Sequence, residues 1–169
     1  MARALAAARD FDTAQLRQAL GCFATGVTIV TTRTADGQAV GMTASSFNAV
    51  SLEPPLVLWS IGRHSGNHDA FASAARWAVH VLATGQRGLA ERFSRRGVDR
   101  FAGIEPEAGL EGLPLLPGCV ARFECRTSAV HAAGDHSILV GEVLRLAASP
   151  QAPLVVHASR FAALQSTDS

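Results

Sequence analysis

The chain contains no lysine and no tyrosine; all fifteen of its basic residues are arginines. Schiff-base chemistry on a lysine and proton transfer from a tyrosine are therefore excluded. Cysteine is scarce: Cys22, Cys119 and Cys125 are odd in number and lack CxxC or other zinc spacing, the usage of packing thiols in a reducing compartment. His64 and His68 stand four apart with Gly66 between them, and His131 and His136 lie on either side of a turn. Neither pair has a metal-binding pattern around it, so no metal is expected. No apolar run approaches the roughly 20 residues that cross a bilayer, and the opening MARALAAAR lacks the apolar core and cleavage site of a signal peptide. A formal net charge of +1 supplies no field for nucleic acid or an anionic membrane. No GxGxxG follows a strand, and neither GxxxxGK[ST] nor GxSxG occurs, which leaves Rossmann, P-loop and hydrolase-elbow chemistry without support. These absences describe a soluble cytoplasmic protein with neither nucleic acid nor membrane as partner.

What remains is a single domain over 1–169, with a loose arm over 1–11 and a polar tail over 165–169. Its 48% hydrophobic content is enough for a sizeable core. Asp12-Thr13 caps a helix through Phe23 with an apolar stripe of Leu16, Ala19, Leu20 and Phe23. Val27–Thr34 is dense in β-branched residues and reads as a strand, and Ala35-Asp36-Gly37 turns it into the next. That next strand runs from Val40 until Glu53-Pro54-Pro55 stops it, since proline brings no N–H to a ladder. Leu56–Ile61 suits a buried strand, Trp77–Leu82 another, and a short helix lies around Leu89–Phe93. Val98–Gly118 has little periodicity, the kind of excursion that often forms a lid or an interface loop. Two long strands, Cys119–Ala132 and Ser137–Leu146, meet at a Gly134-Asp135-His136 turn, with Cys119 and Cys125 on one face. Many antiparallel strands with few short helices predict a mainly β fold, a closed or nearly closed barrel.

The stretch Thr43-Ala44-Ser45-Ser46 is small and hydroxylated, which leaves backbone groups open to a flat polar ligand. Arg63 and Ser65 sit in a polar loop before a helix start, where free N–H groups and a guanidinium can grip a phosphate. In order along the chain stand Gly41-Met42-Thr43-Ala44-Ser45-Ser46-Phe47, Ser51-Leu52-Glu53-Pro54-Pro55-Leu56-Val57, the Ser65 loop, Ala90-Glu91-Arg92-Phe93 and Gly134-Asp135-His136. Together they resemble the flavin reductase family that serves two-component flavin-dependent monooxygenases, over about residues 14 to 164.

The resemblance implies a split β-barrel with Greek-key connections, usually a homodimer. It implies reduction of FMN or FAD by NADH or NADPH, the reduced flavin leaving for a separate monooxygenase. It would place Thr43, Ala44, Ser45 and Ser46 along the flavin ring and Ser60 near the ring or ribityl chain. Arg63 and Ser65 would hold the phosphate, with Arg92 a further candidate, and His136 would meet the nicotinamide. Two places depart from the family pattern: Val79-His80-Val81, where an asparagine is usual, and Val156-His157-Ala158-Ser159-Arg160-Phe161 near the end. The reading from another class is a flavin-binding carrier or redox sensor on the same barrel, without turnover.

Overall fold

Strands form where β-branched and aromatic residues alternate, and short helices fill the joints. The computed structural model describes residues 9–165, so most of the predicted arm and tail, 1–8 and 166–169, lies outside the described residues. In chain order the elements are α1 (Thr13–Gly21), β1 (Thr25–Gly26), β2 (Thr28–Arg33), β3 (Ala39–Ala44), β4 (Asn48–Leu52), β5 (Pro55–Gly62), α2 (His68–Ala72), β6 (Arg76–Val81), α3 (Arg87–Ser94), β7 (Glu107–Ala108), β8 (Pro114–Leu115), β9 (Ala121–Ala133), β10 (His136–Ala148), β11 (Val155–His157) and β12 (Arg160–Ala162). Seven strands make one antiparallel sheet in the order β3-β2-β6-β9-β10-β5-β4. A β1-β11-β12 sheet and a β7-β8 pair sit beside it.

The sheet does not close, and the reason lies in three residues. The sequence reads one strand from Val40 to Glu53. The structure instead breaks it at Ser45-Ser46-Phe47 and sends the two pieces, β3 and β4, to opposite edges of the sheet. Ser46 spans the gap with its hydroxyl, donating to the Ser60 carbonyl at 3.0 Å and accepting from the Ser60 N–H at 2.9 Å. One side chain thus does at the split what a ladder pair does elsewhere. The fold is a split barrel of the mainly β class.

Inside it, the pleat of β5 turns Val57, Trp59 and Ile61 to the core, where they are buried. Trp59 packs edge-on against Phe71 at 4.8 Å and Trp77 at 6.2 Å between ring centroids. Gly141 on β10 is required opposite them, because a Cβ there would strike the Trp77 ring. Cys125 is buried in the same cluster, whereas Cys119 precedes β9 and is half-exposed, so the two do not share a strand face.

The excursion over 98–118 is fastened rather than free through its second half. Leu113, Leu115 and Leu116 are buried. Thr31 Oγ1 donates to the Pro114 carbonyl at 2.6 Å, the Leu110 N–H donates to Glu124 Oε2 at 2.6 Å, and the Leu116 N–H donates to His80 Nε2 at 3.1 Å. That half is a wall. By contrast α1, capped as expected by an Asp12–Gln15 box, buries none of its residues. Leu16, Leu20 and the adjacent Phe23 are 41%, 64% and 73% exposed, so the predicted apolar stripe faces away from the chain's own core.

Candidate functional site

A cleft of about 340 Å³ opens where the end of β5, the loop before α2, the β9–β10 turn and the end of α3 converge. Met42 and Phe93 give it apolar walls; Arg96 and Arg100 enter from the segment after α3. Phe93 in turn packs tightly on β3 at Gly41, where a Cβ would stand 2.6 Å from a Phe93 ring carbon.

Of the residues singled out by sequence, Thr43, Ser65 and His136 line this cleft. The Thr43 hydroxyl donates to the Ala90 carbonyl at 2.6 Å, so its proton is committed and only its lone pairs face a ligand. Ser65 Oγ accepts from the Asn67 N–H at 3.3 Å, which leaves its own O–H free to donate. His136 Nδ1 lies 2.7 Å from Asp135 Oδ1. That hydrogen bond from His136, with the nearby His136 and His64 rings, holds the Asp135 carboxyl below its usual range. An ionised Asp135 requires the proton on Nδ1, so in the neutral ring Nε2 is left as an acceptor. An acceptor on that nitrogen suits a carboxamide N–H.

The other candidates are elsewhere. Ala44 is buried, with its carbonyl taken by Thr28 Oγ1 at 2.7 Å. Ser45 lines a separate groove beside Phe23 and the His157–Ser159 turn. Ser46 and Ser60 are bound to each other across the split. Arg63 is exposed and outside the cleft lining; its backbone N–H donates to the Asp135 carbonyl at 2.9 Å, tying the loop to the turn. Arg92 Nη1 donates to the Ala102 carbonyl at 2.8 Å and serves the segment after α3.

Sequence reasoning missed Arg96 and Arg100. Arg100 is half-buried and aimed: Nη1 donates to the Gly41 carbonyl at 2.8 Å, and Nε and Nη2 donate to the Arg95 carbonyl at 3.1 and 2.7 Å. Their signal in the sequence is density, since four of the fifteen arginines fall within 92–100. His68 was also missed as a fastener. Its ring bridges Asp69 and the buried Ser137, both at 3.0 Å, and so fixes the start of α2 beside His136.

A mostly polar cleft in which Met42 and Phe93 stand beside two guanidiniums and a hydroxyl-bearing loop can take a flat ring that carries a phosphate tail. Its volume falls in the range of about 300–1,000 Å³ usual for cofactor sites. The fold and cleft therefore define a split-barrel protein with a cleft of cofactor size. Comparison with known proteins narrows this: the flavin reductase like domain matches residues 20–165, and the chain belongs to that family. It is 50% identical over 145 residues to the FMN reductase (NADH) SmoA of Agrobacterium fabrum, covering 86% of this chain and 82% of that one. It is 45% identical over 129 residues to the reductase component of the flavin-dependent trigonelline monooxygenase of Acinetobacter baylyi. That match covers 76% of this chain and 42% of a longer relative. Among solved structures, the NADH:FAD oxidoreductase SgcE6 of Streptomyces globisporus, in complex with NAD and FAD fragments, superposes with a TM-score of 0.88. It is 37% identical over 94% of this chain and 96% of that chain. No helix among the described residues is long and apolar enough to cross a membrane.

Proposed function

We propose that the protein is a flavin reductase that passes a hydride from NADH or NADPH to FMN or FAD in the cleft between Phe93 and His136, and that the reduced flavin serves a separate monooxygenase. The observation that carries this reading is the meeting of His136, Ser65 and Thr43 with Arg96 and Arg100 in one cleft beside Met42 and Phe93. Bound there, the flavin ring supplies the hydride-accepting chemistry itself. The chain's tasks are positional. Arg96, Arg100 and Ser65 hold the phosphate, and Met42 and Phe93 exclude water from the ring. His136 Nε2 accepts from the nicotinamide carboxamide. No side chain has to move a proton, because a hydride carries both its electrons. None of the relatives named above is a carrier or sensor.

The test is anaerobic bleaching of FMN and FAD by NADH and by NADPH, with flavin in excess over protein. Turnover is expected; a single stoichiometric bleach, or none, overturns the reading. In the same assay His136→Ala should raise the NADH Michaelis constant or slow reduction by roughly tenfold, about 1.4 kcal/mol of transition-state binding. Flavin affinity should stay put. An unchanged NADH dependence would remove His136 from the donor site.

The proposal includes a homodimer. Leu16, Leu20 and Phe23 form an exposed apolar patch on and beside α1 that a second copy would cover, and a monomer mass by light scattering at micromolar concentration would contradict it. It includes a cytoplasmic location as well, which the three free thiols favour; fractionation of cells would check it.

A further inference from the structure

The loop from Gly62 to His68, which brings Ser65 and Asn67 to the cleft, is fastened at both ends to consecutive residues of β10. Its first residue, Gly62, pairs with His136 at the end of the β5–β10 ladder. Its last residue, His68, reaches Ser137, with Nε2 standing 3.0 Å from the Ser137 hydroxyl. In between, the Arg63 N–H donates to the Asp135 carbonyl at 2.9 Å. Two of these three ties belong to the backbone, and the third is made by side chains. The His136 ring lies over the start of the same loop, with Nε2 3.7 Å from where a Gly62 Cβ would stand.

We propose that His68 is a positioning residue for the hydride transfer, acting through Ser137 to hold His136 in register with the Ser65 loop. The Asp69 carboxylate, 3.0 Å from Nδ1, takes the hydrogen bond of the ring proton, which leaves Nε2 to accept from the Ser137 O–H. In an open site a carboxylate, an imidazole and a hydroxyl in this order would activate the hydroxyl as a nucleophile. Ser137 is 6% exposed and outside the cleft lining, so here the array holds and does not react. The His68 side chain is itself only 17% exposed and has little room to swing away. Without its bond, the far end of the loop is released from β10 and His136 loses a fixed support beneath Nε2. Reacting groups must meet at roughly 3–3.5 Å, so a displacement of about 1 Å in the residue that orients the donor slows the reaction. The proposal rests on the reading of His136 as the residue that meets the nicotinamide.

Stopped-flow reduction of saturating FMN, titrated with NADH, is measured for His68→Ala, Ser137→Ala and His68→Gln, and for the first two again in a His136→Ala background. His68→Ala and Ser137→Ala should each lower the efficiency of reduction by NADH about fivefold, the scale of one lost hydrogen bond. Ser137→Ala removes only a hydroxyl and so keeps the test in hand should His68→Ala fail to fold. His68→Gln, whose amide can still meet the Ser137 hydroxyl, should keep most of the parent's efficiency. With His136 already replaced, neither His68→Ala nor Ser137→Ala should cost anything further, because the effect runs through that ring. The proposal is overturned if the two variants lower the thermal midpoint but leave reduction by the folded protein unchanged. It is overturned equally if they cost the same factor in the His136→Ala background, or if His68→Gln is as slow as His68→Ala. If His136→Ala by itself leaves the NADH dependence unchanged, the donor-site reading falls, and this proposal falls with it.

Discussion

Arg100→Ala is expected to weaken FMN binding by about 10- to 100-fold while riboflavin binding changes little. A hydrogen bond to a charged group contributes about 1.5–3 kcal/mol, and each 1.4 kcal/mol is about a factor of ten. Arg100 is placed to deliver the upper part of that range. Its guanidinium is held by the Gly41 and Arg95 carbonyls, so little side-chain freedom is lost when a phosphate arrives. Arg63 has no such setting: it is exposed and outside the cleft lining. Arg63→Ala should therefore leave FMN affinity within about twofold, the size expected of surface changes of up to about 0.5 kcal/mol. Equilibrium titration of both variants with FMN and riboflavin decides between them. If Arg63→Ala proves the costly change and Arg100→Ala the mild one, the phosphate belongs to the loop before α2. Arg100→Lys sharpens the result, since it keeps the charge but cannot reach two carbonyls and a phosphate in one plane.

Much of the barrel is visible in local composition and turn residues. Leu56–Ile61 reads as an apolar run suited to a buried strand, and the structure makes it part of β5 and buries every second side chain. The Gly134-Asp135-His136 turn joins two long strands and puts a histidine on the rim of the cleft. Periodicity says nothing about where a strand goes next, and that is why the break at Ser45-Ser46-Phe47 is illegible. The residues on either side have the same β character, yet the chain crosses from one edge of the sheet to the other. The exposed stripe on α1 shows the same limit, since a helix period reveals an apolar face and not what covers it. The two arginines that line the cleft were hidden for a further reason. The segment over 95–104 has no regular structure long enough to carry a pattern, and Arg100 acquires its direction only through carbonyls of Gly41 and Arg95.

His80 supplies the second large effect, and it is a dependence on acid. The ring is fully buried, with Nδ1 3.0 Å from the Ile29 carbonyl and Nε2 accepting from the Leu116 N–H at 3.1 Å. A carbonyl on one side and an N–H on the other admit only the neutral ring with its proton on Nδ1. Protonating Nε2 would break the bond to Leu116 and leave a charge in the core. Burial accordingly pushes the His80 pKa from 6.5 down to about 4, against a smaller upward pull from the Ile29 carbonyl. In the unfolded chain the ring titrates near 6.5, so between about pH 6.5 and 4 the unfolded state binds more protons and stability rises with pH. The contribution is fully present above about pH 7 and is lost as acid is added. The difference of 6.5 − 4 = 2.5 pH units corresponds to about 3 kcal/mol at about 1.36 kcal/mol per unit. Urea midpoints measured from pH 7.5 to 4 should fall accordingly, and the segment around Leu116 should lose hydrogen-exchange protection along with them. His80→Asn, which cannot titrate, should flatten that slope. It should also be less stable at pH 7.5, because the shorter amide cannot reach both Ile29 and Leu116. If His80→Asn keeps the full acid slope of the parent, the sensitivity belongs to other groups and the strut between β6 and the 98–118 wall is not its origin.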